Sequence, residues 1–121
     1  MRGARAPITE GNTMKKMVNR FGHITEGARK AFEGAFICGP FNECIRVPGM
    51  IECDRTGYHE TAKARKVAAL LDSQNIGWKI EDDFATIYRV ARFREALEDI
   101  SPIAAYEFSW IVKGFAEADK D

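Results

Sequence analysis

Glu43-Cys44-Ile45-Arg46-Val47-Pro48-Gly49-Met50-Ile51-Glu52-Cys53 reads nearly the same from either end. Two alternating runs around a Pro-Gly pair are the pattern of a β-hairpin. A loop centred on Pro48-Gly49 sets Cys44 directly across from Cys53, with Cα atoms within roughly 6 Å. Pro-Gly favours a type II turn, whose twist suits a hairpin less well than the primed turns, so the reading also admits a longer loop of the same register.

The segments on either side read as helices. Met14, Met17, Val18 and Phe21 follow the i, i+3, i+4, i+7 spacing of an amphipathic helix that Gly22 ends. Thr25 caps a second helix, with Ala28, Phe32, Ala35 and Phe36 inward and Gly39-Pro40 as its stop. A third runs from Tyr58 to Asp72 on a stripe of Ala64, Val67, Ala68 and Leu71. From Asp82 to Ile100 two readings compete. Acids at 81–83 suit a helix N-terminus, whereas Phe84, Thr86, Tyr88 and Val90 alternate as a strand would. The helix is preferred. Ser101-Pro102 opens the last helix as N-cap and first helical residue, burying Ala104, Phe108, Ile111, Val112 and Phe115. The expected fold is α+β and mostly helical, with about five helices and one small β-hairpin at 43–53. Residues 1–12 are expected to be a disordered extension and 13–121 one compact domain.

A chain of 121 residues supports a core without disulfides or metals. The absence of an h-region or a long apolar run predicts a cytoplasmic protein with no membrane partner. Net charge is zero but unevenly spread. Residues 1–30 carry seven bases against two acids, and residues 67–121 carry six bases against eleven acids. The basic end can face nucleic acid or an acidic partner. Cys38, Cys44, Cys53 and His59 have the ligand types of a zinc site but not the short cysteine spacing of the usual knuckles. The preferred reading is three buried free thiols and no cofactor.

No P-loop, G-x-G-x-x-G, nucleophile elbow or H-E-x-x-H is present. Pairs such as Asp82/Asp83 and Glu98/Asp99 do acid–base work only if the fold sets them in a cleft. The chain therefore reads as a non-enzyme. Ile103, Tyr106 and Trp110 form a second stripe on the last helix, away from its buried face. Tyr and Trp dominate interface hot spots, so this stripe is the expected partner-binding surface. The resulting expectation is a small protein-binding module, a phage- or bacterium-type inhibitor or adaptor that docks on a larger protein or nucleoprotein complex. A structural subunit, including one that assembles with copies of itself, would use the same stripe as its contact.

Thr86-Ile87-Tyr88-Arg89, Glu95-Ala96-Leu97 and Tyr106-Glu107 together resemble the recognition helix and wing of ferric-uptake-type winged-helix regulators. The resemblance implies Tyr88, Arg89 and Arg92 as DNA contacts and a DNA-binding transcription regulator as the second reading. Such a reader needs Lys63, Arg65 and Lys66 on the same basic face.

Overall fold

The computed structural model describes residues 17–72 and 76–118. The expected disordered extension at 1–12 therefore lies outside the described residues, as does Met14, the first residue of the expected opening helix. Among those described are four helices and six strands in two antiparallel sheets, so the mostly helical fold with one hairpin is corrected to a balanced α+β fold. In chain order these are α1 (Glu26–Ala31), β1 (Phe36–Cys38), β2 (Cys44–Pro48), β3 (Ile51–Asp54), β4 (Gly57–Glu60), α2 (Ala62–Leu71), β5 (Trp78–Glu81), β6 (Phe84–Ile87), α3 (Val90–Ile100) and α4 (Pro102–Ile111). The main sheet has the order β1-β2-β6-β5, and β3-β4 forms a separate two-stranded ribbon.

The hairpin across Pro48-Gly49 does not form. β2 is a central strand whose two edges are taken by β1 and β6, with Cys38↔Cys44 and Ile45↔Ile87 among the pairs. No edge of β2 is left for β3. Pro48 closes the strand, Gly49 takes φ +84°, and the chain crosses to the second ribbon through Met50, which is fully buried. Met50 N–H donates to the Asp83 carbonyl at 3.2 Å and Ile51 N–H to Asp83 Oδ1 at 2.7 Å, so the β5–β6 turn aims β3. Cys53 faces Tyr58, not Cys44.

Three of the expected helices give way to strand at one end, and the first gives way to a turn. Residues 17–25, where the first helix was expected to finish, form a turn closed by an isolated Val18–Ile24 bridge. Thr25 is the N-cap of α1 as expected, its Oγ1 accepting from Ala28 N–H at 3.1 Å, but the helix ends by Phe32 and residues 36–38 are strand. Tyr58 is likewise strand, and α2 begins only after Thr61, whose Oγ1 accepts from Ala64 N–H at 3.0 Å. Residues 84–87 are strand β6, so the preferred helix over 82–100 shortens to 90–100. The last helix starts as expected, with Ser101 as N-cap and Pro102 in its first turn, but it ends at Ile111, so Val112 and Phe115 reach the core from the turns that follow it.

The buried apolar residues form one cluster drawn from every helix and from the inner face of the main sheet. Its centre is Phe32, Phe93, Phe108 and Phe115. Phe108 stands 5.1, 5.4 and 4.7 Å from the other three ring centroids, at edge-on angles that the ring quadrupoles favour.

Candidate functional site

Helix α4 has one buried side and one bare side. Ala104, Ala105 and Phe108 turn into the core. Ile103, Tyr106 and Trp110, at i, i+3 and i+7, are 54%, 62% and 66% exposed. Successive turns of one face bring the rings of Tyr106 and Trp110 together at 5.4 Å and 72°, in the edge-to-face manner aromatic pairs prefer. Beside Trp110 and Ile111 lies an open groove of about 360 Å³ whose other wall is Glu26, Arg29, Lys30, Glu33 and Gly34.

The helix is fixed at its start and middle. Ser101 Oγ accepts from Ala104 N–H at 3.1 Å and donates to the Gly22 carbonyl at 2.6 Å. Glu107 reaches back to the same segment, accepting from Ile24 N–H at 2.9 Å and pairing with His23 Nδ1 at 2.7 Å. The Ile24 amide chiefly, and His23 after it, hold the Glu107 carboxyl below the ordinary glutamate range. The aromatic stripe therefore projects from a helix held in place by the 19–25 turn.

The outer face of the main sheet is a second exposed surface, which sequence reasoning missed. Because directly opposite residues share a face, Phe36, Arg46, Thr86 and Lys79 form one row across the four strands. Phe36 meets Phe84 at 5.8 Å, and the Arg46 guanidinium lies 5.5 Å from the Phe84 ring centroid. Tyr88, just past β6, reaches Glu81 and Lys79. Burial first and Glu81 second push its phenol up, while Tyr88 and then Lys79 hold the Glu81 carboxyl down. Thr86 Oγ1 and Arg46 Nε are buried without a partner in hydrogen-bond geometry, although Thr86 is near enough to help lower Glu81. Alternation in Cys44-Ile45-Arg46-Val47 is the available signal for this face, but it does not show that the strand pairs with β1 and β6 instead of β3.

The remaining sequence-predicted residues are scattered. Tyr88 and Arg89 lie in the turn between β6 and α3, and Arg92 is exposed on α3, so Thr86–Arg89 forms no recognition helix. Lys63 Nζ donates to the Glu33 carbonyl at 2.6 Å, Arg65 Nη1 donates to the Glu60 carbonyl at 3.2 Å, and Lys66 lines a shallow groove with Gly27 and Leu70. The zinc set is divided. Cys38 and Cys44 are on the main sheet, Cys53 is on the β3-β4 ribbon, and His59 Nε2 is engaged with Thr56 and Asp54. Among the described residues no three His, Cys, Asp or Glu side chains are placed to hold a metal ion.

Asp82 and Asp83 do line a cleft, of about 490 Å³, with Ile51, Glu52, Cys53 and Tyr58. Asp83 is occupied there by the Ile51 amide, which marks it as a structural acid joining the two sheets. Among the described residues no helix is long and apolar enough to cross a membrane. No known protein family, curated protein or solved structure matches this chain.

Proposed function

We propose that this protein is a non-enzymatic binding module that docks on a larger protein through the outer face of α4, with Trp110 as its central anchor. One observation carries the reading: three large apolar side chains in helical register stand more than half exposed on a helix whose other side is fully packed. Single exposed apolar residues are ordinary; a contiguous row ending in an edge-to-face Tyr–Trp pair matches the composition of interface hot spots. The groove beside Trp110 offers a seat for a partner side chain, with Arg29 and Lys30 available to its carboxylates. An inhibitor or adaptor working in the cytoplasm fits this design, as does a subunit that uses the face to join an assembly.

The test uses one substitution and two measurements. Trp110→Ala is expected to leave the melting temperature within about 3 °C of wild type, the range for an exposed site. It should weaken partner capture by at least about thirtyfold, the loss of roughly 2 kcal/mol at a hot spot. A mutant that binds normally but melts far lower would make Trp110 a core residue and remove the interface. Gel filtration of the wild type across a dilution series separates docking on another protein from self-assembly. A DNA-binding regulator is the second reading, supported only by the cations at 89 and 92. It requires binding to duplex DNA that Arg89→Ala and Arg92→Ala abolish and Trp110→Ala spares.

A further inference from the structure

Cys38 closes β1 and Cys44 opens β2, and the sheet register sets them directly opposite one another. Directly opposite residues of antiparallel strands have Cα atoms about 4.5–5.5 Å apart and side chains on one face. A disulfide requires about 4.4–6.8 Å, so the pair can be bridged with little backbone movement. Both side chains are free thiols, half-buried on the outer face of the sheet.

The five-residue loop between them is locked in a form that keeps the thiols together. Gly39 holds φ +101° and Asn42 φ +55°. Asn42 N–H donates to the Gly39 carbonyl at 3.1 Å, and the Glu43 carboxylate folds back to accept from Phe41 N–H at 2.8 Å. A Cβ at Gly39 would meet Glu43 Oε1 at 2.6 Å, so glycine is needed for the carboxylate to lie there. The far side is anchored too, since the Glu43 carbonyl accepts from Val90 N–H at 3.0 Å and joins the loop to the start of α3. Cys53, exposed on the other ribbon opposite Tyr58, has no such partner and serves as an internal control.

We propose that Cys38 and Cys44 form a reversible dithiol/disulfide site that takes a low-molecular-weight disulfide of the glutathione class as its oxidant. One thiol loses its proton and attacks a sulfur of the oxidised tripeptide, forming a mixed disulfide and expelling one glutathione thiolate. The second thiol loses its proton and attacks the protein-side sulfur of that mixed disulfide. The Cys38–Cys44 bond forms and the second glutathione leaves as thiolate. Overall the protein gives up two electrons and two protons, and the oxidant becomes two molecules of glutathione.

Burial, with Cys38 and Glu43 adding to it, raises the Cys44 thiol above its ordinary range, so the thiol form prevails near neutrality and exchange quickens as pH rises. The bridge would join the edge strand β1, held by three residue pairs, to the central strand β2. It would thereby lock Phe36 against Phe84 and keep β1 from peeling away from β2.

The test equilibrates the full chain in glutathione buffers from fully reduced to fully oxidised. Free thiols are then capped with iodoacetamide, followed by intact mass, peptide mapping and thermal melting. Wild type and Cys53→Ser are expected to lose two hydrogens and yield one peptide pair linked through Cys38 and Cys44. In wild type Cys53 should stay outside the bridge, either capped or carrying one glutathione, because an exposed lone thiol exchanges with the same oxidant. The bridged form should melt about 5–10 °C higher than the reduced form. Cys38→Ser and Cys44→Ser should end as mixed disulfides or capped thiols with no such rise. Full capping in oxidising buffer, a bridge through Cys53, or mixed disulfides at Cys38 or Cys44 as the end state in wild type would each overturn the proposal. So would a Cys38–Cys44 bridge that melts no higher than the dithiol.

Discussion

Glu107 is a residue whose chemistry is invisible from its neighbours in sequence. It lies between Tyr106 of the exposed stripe and the buried Phe108, and its carboxylate is engaged with the Ile24 amide and His23, more than eighty residues away. Its carboxyl is held below the ordinary range, so its stabilising contribution is full above that range and is lost as pH falls through the lowered value. Glu107→Gln keeps an oxygen for the Ile24 amide but removes the charge. Thermal melts of both proteins from pH 7 to 3 are expected to show wild type more stable near neutrality, with the gap closing in acid; a gap constant across pH would refute the assignment.

Arg94 was also illegible in the sequence, since an arginine on a helix reads as solvated surface. It is buried, and its Nη1 donates to the carbonyls of Phe115 at 2.9 Å and Ala118 at 2.8 Å, tying the turns after α4 onto α3. Hydrogen bonds from a charged donor contribute more than neutral ones, and their loss leaves buried acceptors unmatched. Arg94→Met should cost about 2–4 kcal/mol in urea unfolding. An unchanged midpoint would mean that the two carbonyls find water instead.

At the scale of elements, capping was readable and pairing was not. Thr25, Thr61 and Ser101 each accept from the amide three residues on, and two of these caps were identified from composition alone. The Thr61 cap is hidden because helical spacing continues back to Tyr58, over residues that the Asp54–Gly57 turn folds into β4; in that turn Asp54 Oδ1 accepts from Thr56 N–H and Gly57 takes φ +121°. Ser101 does more than cap, because it also satisfies the Gly22 carbonyl. Ser101→Ala is therefore expected to cost about 1–2 kcal/mol, at the upper end for an N-cap, while Ser101→Asp, which cannot donate to that carbonyl, should not restore wild-type stability. Full stability in the aspartate variant would reduce Ser101 to an ordinary cap.

For β2 the failure was of a different kind. Alternation over residues 44–48 correctly implies a strand, but alternation specifies faces and not neighbours. The local partner, β3, lost to β1 on one edge and β6 on the other. The acids at 82 and 83 misled in the same way: they form the tight β5–β6 turn, Asp82 at φ +56°, instead of opening a helix.

At the scale of the whole molecule, the two sides of α4 give the sharpest contrast. Phe108 is fully buried and touches three other aromatic rings; Trp110, two residues on, is mostly exposed. Phe108→Ala should lose about 3–5 kcal/mol of folding stability, whereas Trp110→Ala should lose less than about 1 kcal/mol. Equal losses would mean that the stripe belongs to the core, and would end the docking proposal along with it.

The sequence by itself determined the local features: the caps at Thr25 and Ser101, most of the inward faces of α2 and α4, the outward row of Ile103, Tyr106 and Trp110, and the β character of residues 44–47. Each depends on interactions within four residues, where period and side-chain chemistry are sufficient. Only the tertiary structure decided which strands pair, that 84–87 is a central strand, that Arg94 is buried, and that Cys38 rather than Cys53 meets Cys44. Those outcomes depend on competition between distant segments for a limited number of strand edges. In that competition backbone pairing and shared apolar burial outweigh the short-range preferences that a single sequence displays.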